Sequence, residues 1–122
     1  MIRYATIGRT FSFEAAHQLH KHHGKCKRLH GHTYSFTVFI EGRINENGMV
    51  IDFGELKQIV TQHVLDVLDH TLLNDSKLFD GHEPTAEVIA MIIHTLLSPY
   101  LPVKRIELHE TPDTTVIFKG GF

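Results

Sequence analysis

Three histidines near the start of the chain have the spacing of a catalytic metal site. His30 and His32 stand two residues apart, so on an extended segment both imidazoles point to the same side. His17, at the end of a preceding run of alternating residues, would supply a third imidazole. Catalytic zinc often has three protein ligands and leaves its fourth position to water or substrate. The pattern therefore predicts a zinc site formed by His17, His30 and His32.

The alternative is that these are unrelated members of a histidine-rich chain, which has 11 histidines in 122 residues. The strand spacing of His30 and His32, with His17 at the end of the neighbouring strand, favours the metal. Gly31 between them would let a ligand or a backbone approach closely. The other histidines of this region are expected to be solvated in a loop or to contact an anionic substrate group: His20, His22 and His23.

Cys26 lies four residues before His30 and is flanked by the cations Lys25, Lys27 and Arg28. Nearby positive charge favours the thiolate, which is the reactive form of cysteine. Most free cysteines are instead small buried hydrophobic residues. The basic, exposed character of this segment favours a functional thiolate. Because the chain has one cysteine, no internal disulfide can form.

Three further positions carry groups that could assist such a site. The pair Asp69-His70 is either a helix end with a favourable histidine or a proton relay, since a carboxylate orients a neighbouring imidazole. Glu110 is either an exposed strand-end carboxylate or an anchor for a guanidine-like edge, which donates two parallel hydrogen bonds. For Thr85, a helix cap is the better interpretation.

The composition favours a small-molecule site over nucleic acid or a membrane. The chain has 12 basic and 14 acidic residues, a formal net charge of -2, and no long basic block. No apolar run reaches the ~20 residues that span a bilayer, and the N-terminus lacks the pattern of a secretory signal. We therefore expect a cytoplasmic protein without nucleic-acid or membrane partners. Its length predicts a single domain, residues 1–122.

Alternation and helical periodicity predict the order strand, strand, helix, helix, strand, strand. The predicted strands cover 4–16, 30–42, 103–110 and 114–119, and the helices cover 53–69 and 84–97. Asp52 is the expected N-cap of the first helix, with Glu55 in the capping-box position. This order predicts an α+β fold, a four-stranded antiparallel sheet with both helices on one face.

The predicted sheet carries bulky apolar residues on both faces, more than one helical layer can cover. These residues include Phe36, Phe39, Ile106, Leu108, Ile117 and Phe118. In the second strand, Tyr34 and Phe36 are assigned to one face, with His32 and Thr33 around the other. An uncovered apolar sheet face usually means association, so we predict an oligomer.

Together these motifs resemble one family, that of 6-pyruvoyltetrahydropterin synthase and 6-carboxytetrahydropterin synthase. The resembling segments are 13–17, 26–32, 50–53, 68–70, 73–74, 84–87 and 110–111. The Cys-x-x-x-His-Gly-His element is specific, and the others are individually weak but jointly strong. The short chain and compact 18–25 loop look more like the bacterial 6-carboxytetrahydropterin synthases of queuosine biosynthesis.

The resemblance implies a fold, a metal and a set of roles. The implied architecture is the tunnelling fold, in which three subunits form a barrel and two trimers stack into a homohexamer with active sites between subunits. The implied cofactor is Zn2+ on the three histidines. The implied roles are Cys26 as proton-abstracting base, Asp69 and His70 as its relay partners, Glu110 as pterin anchor, and Thr85 and Thr111 as further substrate-binding residues.

The implied reaction is that of a zinc-dependent lyase acting on 7,8-dihydroneopterin triphosphate. The product would be 6-carboxy-5,6,7,8-tetrahydropterin, with release of acetaldehyde and triphosphate. Two alternatives stay open: a 6-pyruvoyltetrahydropterin synthase with the same site, which keeps the side chain, and a non-catalytic zinc- or pterin-binding protein of this fold. A purely structural zinc module is disfavoured, because structural zinc sites are closed by four ligands.

Overall fold

Two long antiparallel strands, β1 (Tyr4–His17) and β2 (His30–Arg43), form the centre of the fold. This computed structural model describes residues 1–19, 24 and 28–120. The register pairs Phe11 with Phe36 and Phe13 with Tyr34, so the aromatic residues of both strands share one face. A shift of one residue would turn this whole set toward solvent, and burial of the aromatic face therefore specifies the pairing.

Three shorter strands complete one open mixed sheet: β3 (Thr71–Leu72), β4 (Val103–His109) and β5 (Val116–Phe118). The strand order is β3-β1-β2-β4-β5. The predicted α+β class is confirmed, but the predicted four-stranded antiparallel sheet is wrong. The strand that was not predicted, β3, pairs with β1 in parallel. It is two residues long, too short to show any periodicity in the sequence.

Two helical segments follow the predicted positions. The first runs through α1 (Phe53–Val60), a π-helical turn (Thr61–Leu65) and α2 (Asp66–Leu68). Asp52 caps it, accepting a hydrogen bond of 3.0 Å from the Glu55 N–H. The second is α3 (Ala86–Leu97). None of the helices in the described part of the chain is long and apolar enough to cross a membrane.

The core lies between these helices and the aromatic face of the sheet. The helical segments contribute side chains at helical spacing, all of them fully buried: Leu56, Val60, Val64, Leu68, Ile89 and Ile93. Phe36 and Val38 of β2 meet them with no exposed surface. Both helical segments therefore cover the same face of the sheet, and the site-bearing ends of β1 and β2 are held against this core.

The opposite face of the sheet is mainly polar. The hydroxyls of Thr10 and Thr37 lie 2.7 Å apart across the β1–β2 pair. Farther along, Lys104 forms an ion pair with Glu41. The hydroxyl and charged residues keep this face compatible with water.

The predicted uncovered apolar face is therefore wrong. Four of the six bulky residues face the helices: Phe36, Ile106, Leu108 and Phe118. Phe39 points away from the core, but the Arg105 guanidinium carbon lies 3.8 Å from its ring centroid. Ile117 is 52% exposed. The error arose because residues of two strands share a sheet face only according to the register between those strands. Alternation within one strand does not specify that register.

Candidate metal and substrate site

The three histidines predicted as ligands converge in the structure. His17 and His30 are direct partners across the β1–β2 pair, and His32 lies two residues farther along β2 on the same face. One ring nitrogen from each lies within 4.8 Å of the others. His17 is only 1% exposed. Strand pairing alone thus brings the set together at one end of the two central strands.

Hydrogen bonds to the outer ring nitrogens orient two of these imidazoles. His30 Nδ1 lies 2.7 Å from the Arg28 carbonyl oxygen, which can only accept, so Nδ1 carries the proton. His17 Nδ1 lies 2.7 Å from the Tyr34 hydroxyl. Such partners fix which nitrogen of a metal-binding histidine is free. In His30 the free nitrogen is therefore Nε2, and in His17 the Tyr34 contact at Nδ1 leaves Nε2 facing His30.

The donor set fits a metal cation. The Nε2 atoms of His17 and His30 face each other at 3.0 Å. Two unprotonated ring nitrogens at this distance repel each other unless a proton or a metal ion lies between them. Three neutral imidazoles form the ligand set of several catalytic zinc sites. We therefore interpret this cluster as a candidate metal site held by His17, His30 and His32.

The environment of His17 favours the neutral imidazole that a metal requires. Burial lowers its pKa to about 4, and the charges of His30 and His32 act in the same direction, whereas the Pro84 backbone acts in the opposite one. At neutral pH the ring is therefore uncharged, with one ring nitrogen free to bind a metal. Since ligands must be deprotonated to bind, His17 needs no proton release at that pH.

The same shift predicts how acid affects the metal-free protein. The folded state resists protonation of His17 to about pH 4, whereas the unfolded chain takes up the proton near its ordinary 6.5. Stability should therefore fall as the pH falls through this window, by roughly 2 kcal/mol between pH 7 and pH 5. Urea unfolding of the metal-free protein at both pH values measures this. In His17→Gln the difference should shrink, and an unchanged difference would contradict the assignment.

Glu110 adds a carboxylate to the cluster. Its Oε1 lies 3.5 Å from His17 Nε2 and 3.8 Å from His32 Nε2. Glu110 directly follows β4, whose Leu108 pairs with Phe36 of β2. The sheet order therefore places this carboxylate beside the histidines although the residues are far apart in the chain. It supplies a hydrogen-bond acceptor at the edge of the candidate metal site.

Two adjoining concavities open beside the cluster, with volumes of about 610 and 620 Å³. Both are lined by Gly31, His32 and Thr33. His70 lines the first, whereas Glu110 and Thr111 line the second. Volumes of this order suit a small molecule. A ligand that spans both concavities would lie beside the candidate metal site and could contact polar groups on either side of it.

Asp69 and His70 form a pair within hydrogen-bonding distance, as predicted. The Asp69 Oδ1 lies 3.1 Å from His70 Nδ1 and also accepts from the Glu14 N–H at 2.9 Å. This N–H and His70 hold the pKa of Asp69 below its ordinary value. His70 has a positive φ of 57°. This conformation is uncommon for residues other than glycine and, where it occurs, is found often at functional sites. The two side chains thus lie close enough for the Asp69 carboxylate to hold the His70 imidazole in place.

The remaining predicted residues have different placements. The Thr85 hydroxyl accepts from the Val88 N–H at 3.2 Å, so it caps α3, and it is not among the residues lining the two concavities. The Thr111 hydroxyl contacts Asp113 at 2.8 Å and lines the second concavity. Cys26 lies outside the described residues, as do the three loop histidines.

Tyr34 is the residue that sequence reasoning missed. It has no exposed surface, and its hydroxyl contacts His17. The sequence interpretation assigned His32 and Tyr34 to different faces. Since they are two residues apart on one strand, they share a face, and that spacing was the signal that could have found it.

Comparisons with known proteins agree with this arrangement. A family model described as 6-pyruvoyl tetrahydropterin synthase matches residues 6–121. A 6-carboxy-5,6,7,8-tetrahydropterin synthase of Haemophilus influenzae is 39% identical, over 87% of this chain and 92% of that protein. A putative 6-carboxy-5,6,7,8-tetrahydropterin synthase of Archaeoglobus fulgidus is 42% identical, over 88% of this chain and 89% of that protein. These matches extend over most of the chain.

The fold comparison gives the same result. The solved structure of the Caenorhabditis elegans 6-pyruvoyl tetrahydropterin synthase superposes with a TM-score of 0.89 at 31% identity. The match covers 98% of this chain and 97% of that one. Coverage this complete includes β1, β2 and β4, the strands that carry or directly precede the histidine cluster and Glu110.

Proposed function

Because the chain belongs to the 6-pyruvoyl tetrahydropterin synthase family, we propose that it is a zinc-dependent lyase acting on 7,8-dihydroneopterin triphosphate. The proposed products are 6-carboxy-5,6,7,8-tetrahydropterin, acetaldehyde and triphosphate. The observation that carries the proposal is the convergence of His17, His30 and His32 beside Glu110. His32 lines both adjoining concavities, with His70 on the first and the carboxylate anchor Glu110 on the second.

The histidines would hold zinc through their Nε2 atoms. Bound there, zinc supplies Lewis-acid chemistry, polarising the side-chain hydroxyls of the substrate and stabilising developing negative charge. His17 and His30 are already oriented for this by Tyr34 and the Arg28 carbonyl. The chain itself thus contributes ligands that need little rearrangement to bind.

Proton movement is assigned to Cys26, Asp69 and His70. Cys26 is the proposed base, because its basic neighbours favour the thiolate. His70 lines the first concavity together with His32, so an imidazole is available on the substrate's side of the cluster. Asp69 holds the ring through Nδ1, and Nε2, which lies 3.5 Å from Glu14 Oε2, is the proposed site of proton exchange.

Glu110 is the proposed pterin anchor, supported by Thr111 on the same concavity. A carboxylate accepts two parallel N–H bonds from the guanidine-like edge of a pterin. Thr85 lines neither concavity of its own chain, so its proposed contact with substrate requires a second subunit to complete the site.

Glu110→Ala should weaken pterin binding about 10- to 100-fold, since charge-assisted hydrogen bonds of about 1.5–3 kcal/mol are lost. Neopterin, an oxidised and unreactive pterin, is a suitable probe, and its fluorescence reports the dissociation constant. Zinc content should stay near one per chain. The matched control is Glu46→Ala, which removes an exposed turn carboxylate. Unchanged neopterin affinity in Glu110→Ala would refute the anchor role.

The carboxy-forming reaction is favoured over the pyruvoyl-forming one by similarity. Two curated relatives named for 6-carboxy-5,6,7,8-tetrahydropterin are 39% and 42% identical, whereas a 6-pyruvoyl enzyme of known structure, that of Caenorhabditis elegans, is 31% identical. The deciding experiment gives the zinc-loaded protein dihydroneopterin triphosphate and analyses the pterin by mass spectrometry, with a coupled assay for acetaldehyde. Carboxytetrahydropterin with acetaldehyde supports the proposal. A pyruvoyl product without acetaldehyde assigns the other reaction.

A non-catalytic pterin-binding protein is the alternative from another class. The same assay separates it, because such a protein would bind neopterin and zinc yet form no product. The oriented Asp69–His70 pair favours the enzyme, since binding alone requires no proton relay. Tight binding without product at stoichiometric zinc would favour the alternative.

We further propose that this single domain, 1–122, assembles into the barrel of the tunnelling fold as a homohexamer. Support comes from β1, which pairs with β3 only at Ala15 and Ala16. Among the described residues no strand pairs with 4–13 along that edge, and open edges favour pairing with another chain. Native mass spectrometry tests this: six subunits are expected, and a monomer at micromolar concentration would contradict it.

A further inference from the structure

Glu14 of β1 contacts the Asp69–His70 pair through three separate groups. Its backbone N–H donates to Asp69 Oδ1 at 2.9 Å, and its carbonyl oxygen accepts from the His70 N–H at 2.6 Å. Its side-chain Oε2 lies 3.5 Å from His70 Nε2. Because the two backbone bonds attach the pair to β1, the Glu14 carboxylate and the His70 ring are held on neighbouring backbone positions.

Thr33 holds the Glu14 carboxylate from the other side. These two residues are direct partners in the β1–β2 pair, and the Thr33 hydroxyl donates to Glu14 Oε1 at 3.3 Å. Oε2 is therefore the oxygen that faces His70. Glu14, Thr33 and His70 all line the first concavity, so their contacts form part of the wall that a bound substrate would face.

The His70 ring has a carboxylate at each of its nitrogens. Asp69 Oδ1 is 3.1 Å from Nδ1, and Glu14 Oε2 is 3.5 Å from Nε2. An imidazole that gains a proton carries a positive charge and an N–H at both nitrogens. In this geometry each N–H then faces an acceptor of opposite charge, and such contacts stabilise the charged ring.

We propose that Glu14 is a positioning residue of the proton relay, which acts through His70 and not on the metal. The inference rests on the proposed function, in which His70 Nε2 exchanges a proton with the substrate. When Nε2 takes up that proton, Nδ1–H stays with Asp69, and Glu14 stabilises the positive charge until the proton is returned. Glu14 also limits rotation of the ring, so that Nε2 stays directed at the first concavity.

Glu14→Gln keeps an acceptor for the Thr33 hydroxyl and removes the negative charge. The side chains of Glu14 and His70 are 63% and 74% exposed, so water screens their attraction and limits its size. We expect kcat to fall about 3- to 10-fold, with zinc content and neopterin affinity unchanged. The matched control is Glu41→Gln. Glu41 is also a strand carboxylate that accepts from its partner across the β1–β2 pair, Thr6, at 3.1 Å, and this variant should keep the wild-type kcat.

A double-mutant cycle separates positioning from a merely structural role. Because Glu14 acts through His70, Glu14→Gln should cause no further loss of kcat in the His70→Asn background. An equal loss in both backgrounds would overturn the inference, as would a wild-type kcat in Glu14→Gln alone. Loss of zinc or neopterin binding in Glu14→Gln, or an equal loss of kcat in Glu41→Gln, would overturn it too.

NMR of protein with 15N-labelled histidine tests the contact without activity. At one fixed pH, the ring signals of His70, identified by their absence in His70→Asn, should move in Glu14→Gln and stay in place in Glu41→Gln. Unmoved signals in Glu14→Gln would overturn the inference. If the wild type formed no product, the proposed function would fail, and the ring signals would still decide whether Glu14 holds His70.

Discussion

His30→Ala is expected to release the metal and to lower turnover at least about 100-fold, since loss of a second-shell partner alone costs 10- to 100-fold. His30 lies opposite His17 in the β1–β2 pair, and their Nε2 atoms are 3.0 Å apart. Removing it leaves two imidazoles, which bind a divalent metal far more weakly than three. Elemental analysis after dialysis should find far less than one zinc per chain.

The control for this variant is His82→Ala, because His82 is exposed in the described chain and lies outside the cluster. It should retain wild-type zinc and activity. Circular dichroism of His30→Ala should match the wild type, since the ring is only partly buried and His30 is the first residue of β2. If His30→Ala retained stoichiometric zinc, the ligand assignment would be wrong.

His70→Asn is expected to lower kcat about 10²- to 10⁴-fold, the usual contribution of a positioned acid or base. Asparagine is the informative substitution because His70 has a φ of 57°, and asparagine tolerates this left-handed region better than alanine does. The backbone hydrogen bond from the His70 N–H to the Glu14 carbonyl oxygen, 2.6 Å between N and O, can then persist. Zinc content and neopterin affinity should be unchanged.

Asp69→Asn is the companion variant. Its amide oxygen can still accept from the Glu14 N–H, but it no longer places a negative charge beside the imidazole of His70. We expect a smaller loss of kcat than in His70→Asn and a shifted pH profile. A wild-type kcat in His70→Asn would exclude the relay role. Loss of zinc in His70→Asn would show instead that His70 supports the metal site.

Much of the fold could be predicted from local pattern. Alternation along β1 and β2 predicted the strands, and period 3.6 predicted both helical segments within a few residues. Asp52 was recognised as a cap because its role depends only on residues within one turn. The π-helical turn Thr61–Leu65 was not predicted, since one extra residue in a turn leaves little trace in the hydrophobic pattern.

The histidine cluster was predictable for a related reason. His30 and His32 share a strand, and His17 ends the strand that precedes it, so alternation and one hairpin pairing are enough to bring them together. The resemblance of the surrounding motifs to a known family added the roles of Asp69, His70 and Glu110. None of these inferences needed the order of strands in the sheet.

The sequence by itself thus determined which residue types could do the chemistry and which strand faces are apolar, because both are local properties. Only the tertiary structure decided that Glu110 lies 3.5 Å from His17, that the Tyr34 hydroxyl lies 2.7 Å from His17 Nδ1, and that the outer sheet face is mainly polar. These depend on register and strand order between segments far apart in the chain. Alternation repeats every two residues and so leaves the register between distant strands open, and packing of the whole core selects one.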